Sequence, residues 1–207
     1  MGPGGEVAVR VTPLGASGHQ YDPGVELIAV STDDGQTWQE HAPPGTRVWD
    51  PTFRDPDITP RWVEPLAWDA DGALYHLWSE GRELWLGRST DQGRTWDRWP
   101  VAHDDDRVFY PYLVGRGPGE LAATWFSGRA ESLRVHVARI DVGPGAPQVN
   151  ESVLFQPDSW TQQRIRNPAG EYVPVAFLTD GGLAVVTPIQ DVQGNRWGFS
   201  WWRVGKP

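Results

Sequence analysis

Few residues in this sequence are of the types that do chemistry, and their spacing narrows them further. The absence of cysteine excludes thiol nucleophiles, thiolate metal ligands and disulfides. His19, His41, His76, His103 and His136 show none of the short spacings that gather imidazoles on one metal. The acid run HDDDR (103–107) has the oxygen-rich character a calcium ion favours, and equally that of a solvated loop. DADG (69–72) falls short of a calcium loop and reads as a hairpin turn. Arg54 in FRDP (53–56), and Arg164 and Arg166 in RIRNP (164–168), lie on connecting segments able to line a cleft or to sit in solvent. Two octapeptides stand apart: STDDGQTW (31–38) and STDQGRTW (89–96), identical at six of eight positions.

The octapeptides specify a reversal of the chain. Ser and Asp side chains accept hydrogen bonds from turn amides, and Gly35 and Gly93 supply a position with φ > 0. Thr37 and Thr95 then begin the returning strand. Trp38 and Trp96 are expected to fold back as large apolar plugs under the turn, both largely buried.

The elements on either side are strands. Helical spacing of apolar residues is not found, whereas short alternating runs recur: EVAVRV (6–11), ELIAV (26–30), ALYHLW (73–78), ELWLG (83–87), LRVHVARI (133–140) and GFSWWRV (198–204). Each is bounded by Gly, Pro, Asp or Asn, so the fold class is all-β. The 207 residues suffice for one domain with a sizeable core, and 13 tryptophans argue against a disordered chain. Net charge is −9 with no basic stripe, which argues against a nucleic-acid partner. The start, MGPGGEVAVRV, has no basic segment leading into an apolar one, and no run approaches a membrane span, so neither signal peptide nor membrane partner is expected. Localisation is not readable.

The strands recur as units, at approximately 5–50, 58–102, 107–156 and 170–207. WVEPLAWDADGALYHLWSEGRELWLGRSTDQGRTWDRWPV (62–101) parses as four strands, and later stretches repeat its first half. Gly72, Gly119 and Gly182 each precede a second strand, with Gly5 as a fourth anchor. Pro65, Pro111 and Pro174 are expected at one register of the first strands. About fourteen strands result, three in the first unit, four in each of the next two and three in the last. Repeated four-stranded antiparallel meanders are the pattern of β-propeller blades, here about three and a half of them and an incomplete ring, with a β-sandwich as the alternative. Both ends falling mid-blade suggests a fragment of a longer propeller, with open strand edges able to self-associate.

S-x-D-x-G-x-T-W resembles the Asp-box, or bacterial neuraminidase repeat, of sialidase-like β-propellers. Ser31, Asp33, Gly35, Thr37 and Trp38, and Ser89, Asp91, Gly93, Thr95 and Trp96, match it at every defined position. The resemblance implies boxes at the blade periphery, away from a central cleft, and an exo-sialidase-type glycoside hydrolase whose partner is a sialylated or acidic glycan. It implies an arginine clamp for the substrate carboxylate, a Tyr–Glu nucleophile and an Asp acid/base. The residues that come nearest are Arg54, Asp55, Arg164 and Tyr172, the last beside Glu171. FRDP departs from the family arrangement in following the first box. The other function class is a non-catalytic Asp-box propeller that binds carbohydrate or protein. Neither reading calls for a metal or a cofactor, and family members are often secreted.

Overall fold

The computed structural model describes residues 1–11, 24–45, 48–49, 65–128, 134–155, 173–191 and 196–206. All regular structure among them is strand. Sheet 1 contains β1 (Val7–Val11), β3 (Leu27–Ser31) and β4 (Gln39–His41). Sheet 2 contains β6 (Leu66–Trp68), β7 (Leu74–Glu80), β8 (Glu83–Ser89) and β9 (Asp97–His103). Sheet 3 contains β10 (Val108–Gly115), β11 (Glu120–Ser127), β12 (Arg134–Asp141) and β13 (Gln148–Phe155). Sheet 4 contains β14 (Val175–Phe177), β15 (Leu183–Asp191) and β16 (Arg196–Val204). Each is an antiparallel meander in chain order, so the expected three, four, four and three strands are present. A small addition was not foreseen: β2 (Gly24–Val25) pairs with β5 (Val48–Trp49).

The four units share one turn, which leads into β1, β7, β11 and β15. Gly2 N bonds Glu6 O, Asp69 N bonds Ala73 O, Arg116 N bonds Glu120 O and Leu178 N bonds Gly182 O. The turn requires a left-handed residue, and Gly5, Gly72, Gly119 and Gly181 fill it with φ of 93, 79, 65 and 82°. The anchor of the last unit is therefore Gly181 and not Gly182, one residue from the expected place. Two residues further on, Val7, Leu74, Leu121 and Leu183 pair with Ser31, Ser89, Ile140 and Val204, which sets a common register for all four sheets.

The expected register of the three prolines is corrected. Pro65 O and Pro174 O do accept the same bond, from Leu77 N and Val186 N. A bulge between Phe109 and Tyr112 displaces Pro111 by one residue, leaving Tyr112 at that position. The bulge holds Tyr110 at φ 50°, a region that side-chain-bearing residues rarely occupy.

Alternation of side chains gives each sheet two faces, and successive sheets stack face on face. Ile28 and Val30 of sheet 1 pack with Leu74, Trp68 and Trp96 of sheet 2. The opposite face of sheet 2, with Tyr75, Leu77, Leu84 and Leu86, packs on Leu121, Ala123, Trp125 and Ile140 of sheet 3. Phe126, Val135 and Val137, on the other face of sheet 3, meet Val175, Leu183 and Val185 of sheet 4. No hydrophobic cluster among the described residues joins sheet 4 to sheet 1, and they show no closed ring.

Asp69 fastens two of these layers. Its buried carboxylate accepts from Asp71 N (3.0 Å), Ala73 N (2.9 Å) and the Tyr75 hydroxyl (3.0 Å) within sheet 2. It also accepts from Gly119 N (2.8 Å) in the equivalent turn of sheet 3. Burial, and then the Asp69 charge, push the Tyr75 phenol well above its ordinary pKa, so it stays a donor. Asp69→Ala leaves several buried donors without an acceptor and is expected to cost about 3 kcal/mol, whereas Tyr75→Phe removes one bond and costs about 1 kcal/mol. Chemical denaturation of the two variants checks this order; equal stability of Asp69→Ala and the parent would refute the latch.

Candidate functional site

The two octapeptides fold into superimposable hydrogen-bond sets. Ser31 Oγ donates to Asp33 Oδ1 (2.8 Å) and accepts from Gly35 N (2.8 Å). Asp33 in turn accepts from Thr37 N (2.8 Å) and from Thr37 Oγ1 (2.6 Å). In the second copy Ser89 makes the same bonds to Asp91 and from Gly93 N at 2.8 and 2.7 Å, and Asp91 takes Thr95 N and Oγ1 at 2.8 and 2.6 Å. Each indole closes the motif, Trp38 Nε1 on Gly35 O (3.0 Å) and Trp96 Nε1 on Gly93 O (3.1 Å). The turn uses two left-handed residues in succession, Asp34 then Gly35 and Gln92 then Gly93, where only the glycine had been expected. Donation from the Thr side chain and backbone, followed by the Ser hydroxyl, holds the Asp33 carboxyl at about 2. Asp91 is likewise held at about 2, chiefly by Thr95.

The expected burial is corrected for Trp38. Trp38 is 43% exposed, and Trp96 is only half-buried. The hydrogen bonds inside the motif place the indole against its own turn but do not cover its outer face. Sheet 1 supplies that cover for Trp96, through Ile28 and Val30, and His76 approaches it edge-on at 6.3 Å. Trp38 belongs to the first sheet of the stack, and among the described residues no further sheet lies against it.

The residues named for sialidase-type chemistry, Arg54, Asp55, Arg164 and Tyr172, lie outside the described residues, as do Arg166 and Glu171. Chain order puts them between β4 and β6 and between β13 and β14. These are links from the last strand of one sheet to the first of the next, the counterparts of residues 104–107. That link leaves its sheet at the end opposite the boxes: Asp104 N bonds Arg82 O and Val108 N bonds Gly81 O beside the β7–β8 hairpin.

At this same end lies a polar cluster that sequence reasoning did not find. Ser127 Oγ is 2.7 Å from His136 Nε2, and His136 Nδ1 is 2.6 Å from Glu151 Oε1. Asp104 accepts a hydrogen bond from Ser127 and a two-pronged one from Arg134 Nη2 (2.9 and 2.7 Å). Burial opposes ionisation of Asp104, but the bonds from Ser127 and Asp106 N and the Arg134 charge outweigh it and lower its pKa. A serine, an imidazole and a carboxylate in line have the form of an activated nucleophile. The placement here is that of a clasp: Ser127 is fully buried, and its hydroxyl is shared between His136 and Asp104. His136 also stacks on Trp125 at 5.1 Å, at the register where sheet 2 stacks Trp85 on Trp78 at 6.3 Å. His136 thus takes the place of a packing aromatic. Its partners stand 9 and 15 residues away on neighbouring strands, a separation no short motif displays.

HDDDR is therefore partly structural, since Asp104 serves Arg134. Among the described residues no group of three or more His, Asp or Glu side chains is arranged to hold a metal. A shallow polar cleft between sheets 3 and 4 is lined by Arg139, Asn150, Ser152 and Lys206. In comparison with known proteins, no family model and no curated protein matches the chain.

Two outcomes follow for the boxes. Carboxylates lowered from 3.8 to about 2 on folding contribute stability that is complete above the unfolded value and is lost as pH falls through the folded one. Thermal unfolding midpoints should therefore drop between about pH 4 and pH 2, and more shallowly in the Asp33→Asn/Asp91→Asn variant, which starts less stable at neutral pH. Because only Trp96 is covered by a neighbouring sheet, Trp96→Ala is expected to cost roughly 3 kcal/mol and Trp38→Ala about 1 kcal/mol. Equal losses in urea titrations would contradict the asymmetry.

Proposed function

We propose that this chain is an Asp-box β-propeller domain of the sialidase-like kind, directed at glycans. The observation that supports the reading is the pair of matching box hairpins, each joining the last two strands of its sheet in a stacked series of such sheets. In this reading Arg54 and Arg164 clamp a sugar carboxylate, since guanidinium forks pair with carboxylates two bonds at a time. Tyr172, beside Glu171, is the nucleophile, a neutral group that approaches an anionic substrate without repulsion, and Asp55 is the acid/base.

A second reading, a binding module without turnover, is favoured by the commitments of the described arginines. Arg10 pairs with Glu26, Arg116 with Glu120, Arg134 with Asp104 and Arg203 with Asp180, while Arg139 donates to Gly181 O. In this reading these five arginines are not available to a clamp, and each missing charged contact forfeits a few kcal/mol of transition-state stabilisation.

Both readings place a sialylated glycan on the same arginines and differ in turnover. Hydrolysis of a fluorogenic sialoside is expected near background, with sialyllactose binding detectable by calorimetry. Arg54→Ala and Arg164→Ala should each weaken that binding by about 2 kcal/mol, roughly thirtyfold. A robust rate abolished by Arg54→Ala would establish the hydrolase; absence of both binding and turnover would refute the glycan assignment.

A further inference from the structure

The common register of the four sheets allows residues at equivalent positions to be compared. Three residues before Ser31, Ser89, Ile140 and Val204 stand Ile28, Leu86, Val137 and Trp201. The first three are 0, 0 and 1% exposed, each lying under the next sheet of the stack, whereas Trp201 is 61% exposed. Two residues earlier the positions are Glu26, Leu84, Val135 and Phe199. Here too the first three are buried, and Phe199 is 78% exposed. Trp202 and Val204, on the opposite face of β16, pack on sheet 3. The outer face of sheet 4 thus carries bulky aromatics at the positions that every preceding sheet buries beneath a successor.

The other end of the stack shows the complementary half of the same junction. Val7 and Ala29 of sheet 1 are the counterparts of Leu74 and Gly87 of sheet 2, which face sheet 1. On that outer side of sheet 1 lie the exposed Val9 and Trp38, and Trp38 is the counterpart of the Trp96 that sheet 1 covers. One chain therefore presents both a front face lacking its successor and a back face lacking its predecessor, among the described residues.

We propose that the chain associates head to tail with a second copy of itself, the Phe199–Trp201 face of one copy seating on the Val9–Trp38 face of the next. The occupant is argued from continuity with the internal junctions: the face needed by sheet 4 is the back of a sheet of this repeat, and sheet 1 offers one. A polar contact of the internal junction carries over. Arg139 of sheet 3 donates to Gly181 O in the first turn of sheet 4. Its counterpart one sheet on is Arg203, which also pairs with Asp180 of its own chain, and the counterpart of Gly181 is Gly5, so Arg203 of one copy is placed toward the Gly5 carbonyl of the next. The two faces in contact are different surfaces, so the contact is heterologous; two copies close on each other if the rotation permits, and otherwise chains extend. This association is independent of the glycan reading and uses faces, where the sequence pointed to strand edges.

Sedimentation velocity over a dilution series tests it. The parent should sediment as a dimer or larger species that dissociates on dilution. Phe199→Glu/Trp201→Glu alters one face, and Val9→Glu/Trp38→Glu the other; each variant alone should be monomeric. Mixed in equal amounts, they retain one intact pair of faces and should form a one-to-one heterodimer. Should the change at Trp38 unfold the box, Val9→Glu alone serves as the back-face variant, with unfolding midpoints as the check. A monomeric parent at the highest concentration, variants that still self-associate, or variants that fail to combine would each overturn the proposal.

Discussion

A β-sheet with apolar side chains on both faces cannot stand in water with either face open, and this condition organises the molecule. In sheet 3, Leu121, Ala123 and Trp125 point to one side and Ala122, Thr124 and Phe126 to the other, and all six are buried. Covering both sides demands a sheet before it and a sheet after it, and sheets 2 and 4 meet the demand. The condition passes from layer to layer. Two polar groups that enter the stack are satisfied there: Asp69 by amides of two sheets, and Thr124 by the Val173 carbonyl of the next sheet.

What was legible in the sequence follows from how far apart the interacting residues lie. The box is legible because its whole bond set closes within eight residues, from Ser31 to Trp38. The first-to-second-strand turns are legible for the same reason, and the one-residue error at Gly182 arose because two adjacent glycines offer the left-handed position and only the bonds decide between them. The displaced Pro111 reflects a bulge, which changes pairing without changing strand-forming composition. Trp38 was misjudged because burial is a property of the neighbour. Trp38 and Trp96 sit in the same octapeptide with the same indole bond, and one is covered because a sheet precedes it. The Asp69–Gly119 latch spans 50 residues, and the Ser127–His136–Glu151 line crosses three strands; neither leaves a local trace.

The site itself was the least legible part. Its candidates, Arg54, Asp55, Arg164 and Tyr172, all fall in connections between sheets. Strand positions can be checked against repeats of themselves, as Trp201 is checked against Val137, Leu86 and Ile28. A connection has no such counterpart to fix its register, and its residues are free to vary with function.

The two ends of the sheets are built differently, and this bears on where a ligand would be met. At one end the chain reverses through short turns and boxes closed by Ser, Asp, Thr and Gly within the hairpin itself. Such turns have spent their polar groups on their own backbone and offer few to a ligand. At the other end the 104–107 connection meets the β7–β8 reversal and the end of β11, and the order there comes from charged side chains, with Arg134 gripping Asp104 and Glu151 holding His136. The clasp anchors the short 104–107 link to the buried wall of sheet 3, so its length is used up in packing. The two longer links between sheets carry the arginines of FRDP and RIRNP. Turns whose polar groups are spent on their own backbone leave ligand chemistry to other parts of a stack, and connections between sheets, free of the pairing that fixes strand residues, are where such chemistry is accommodated.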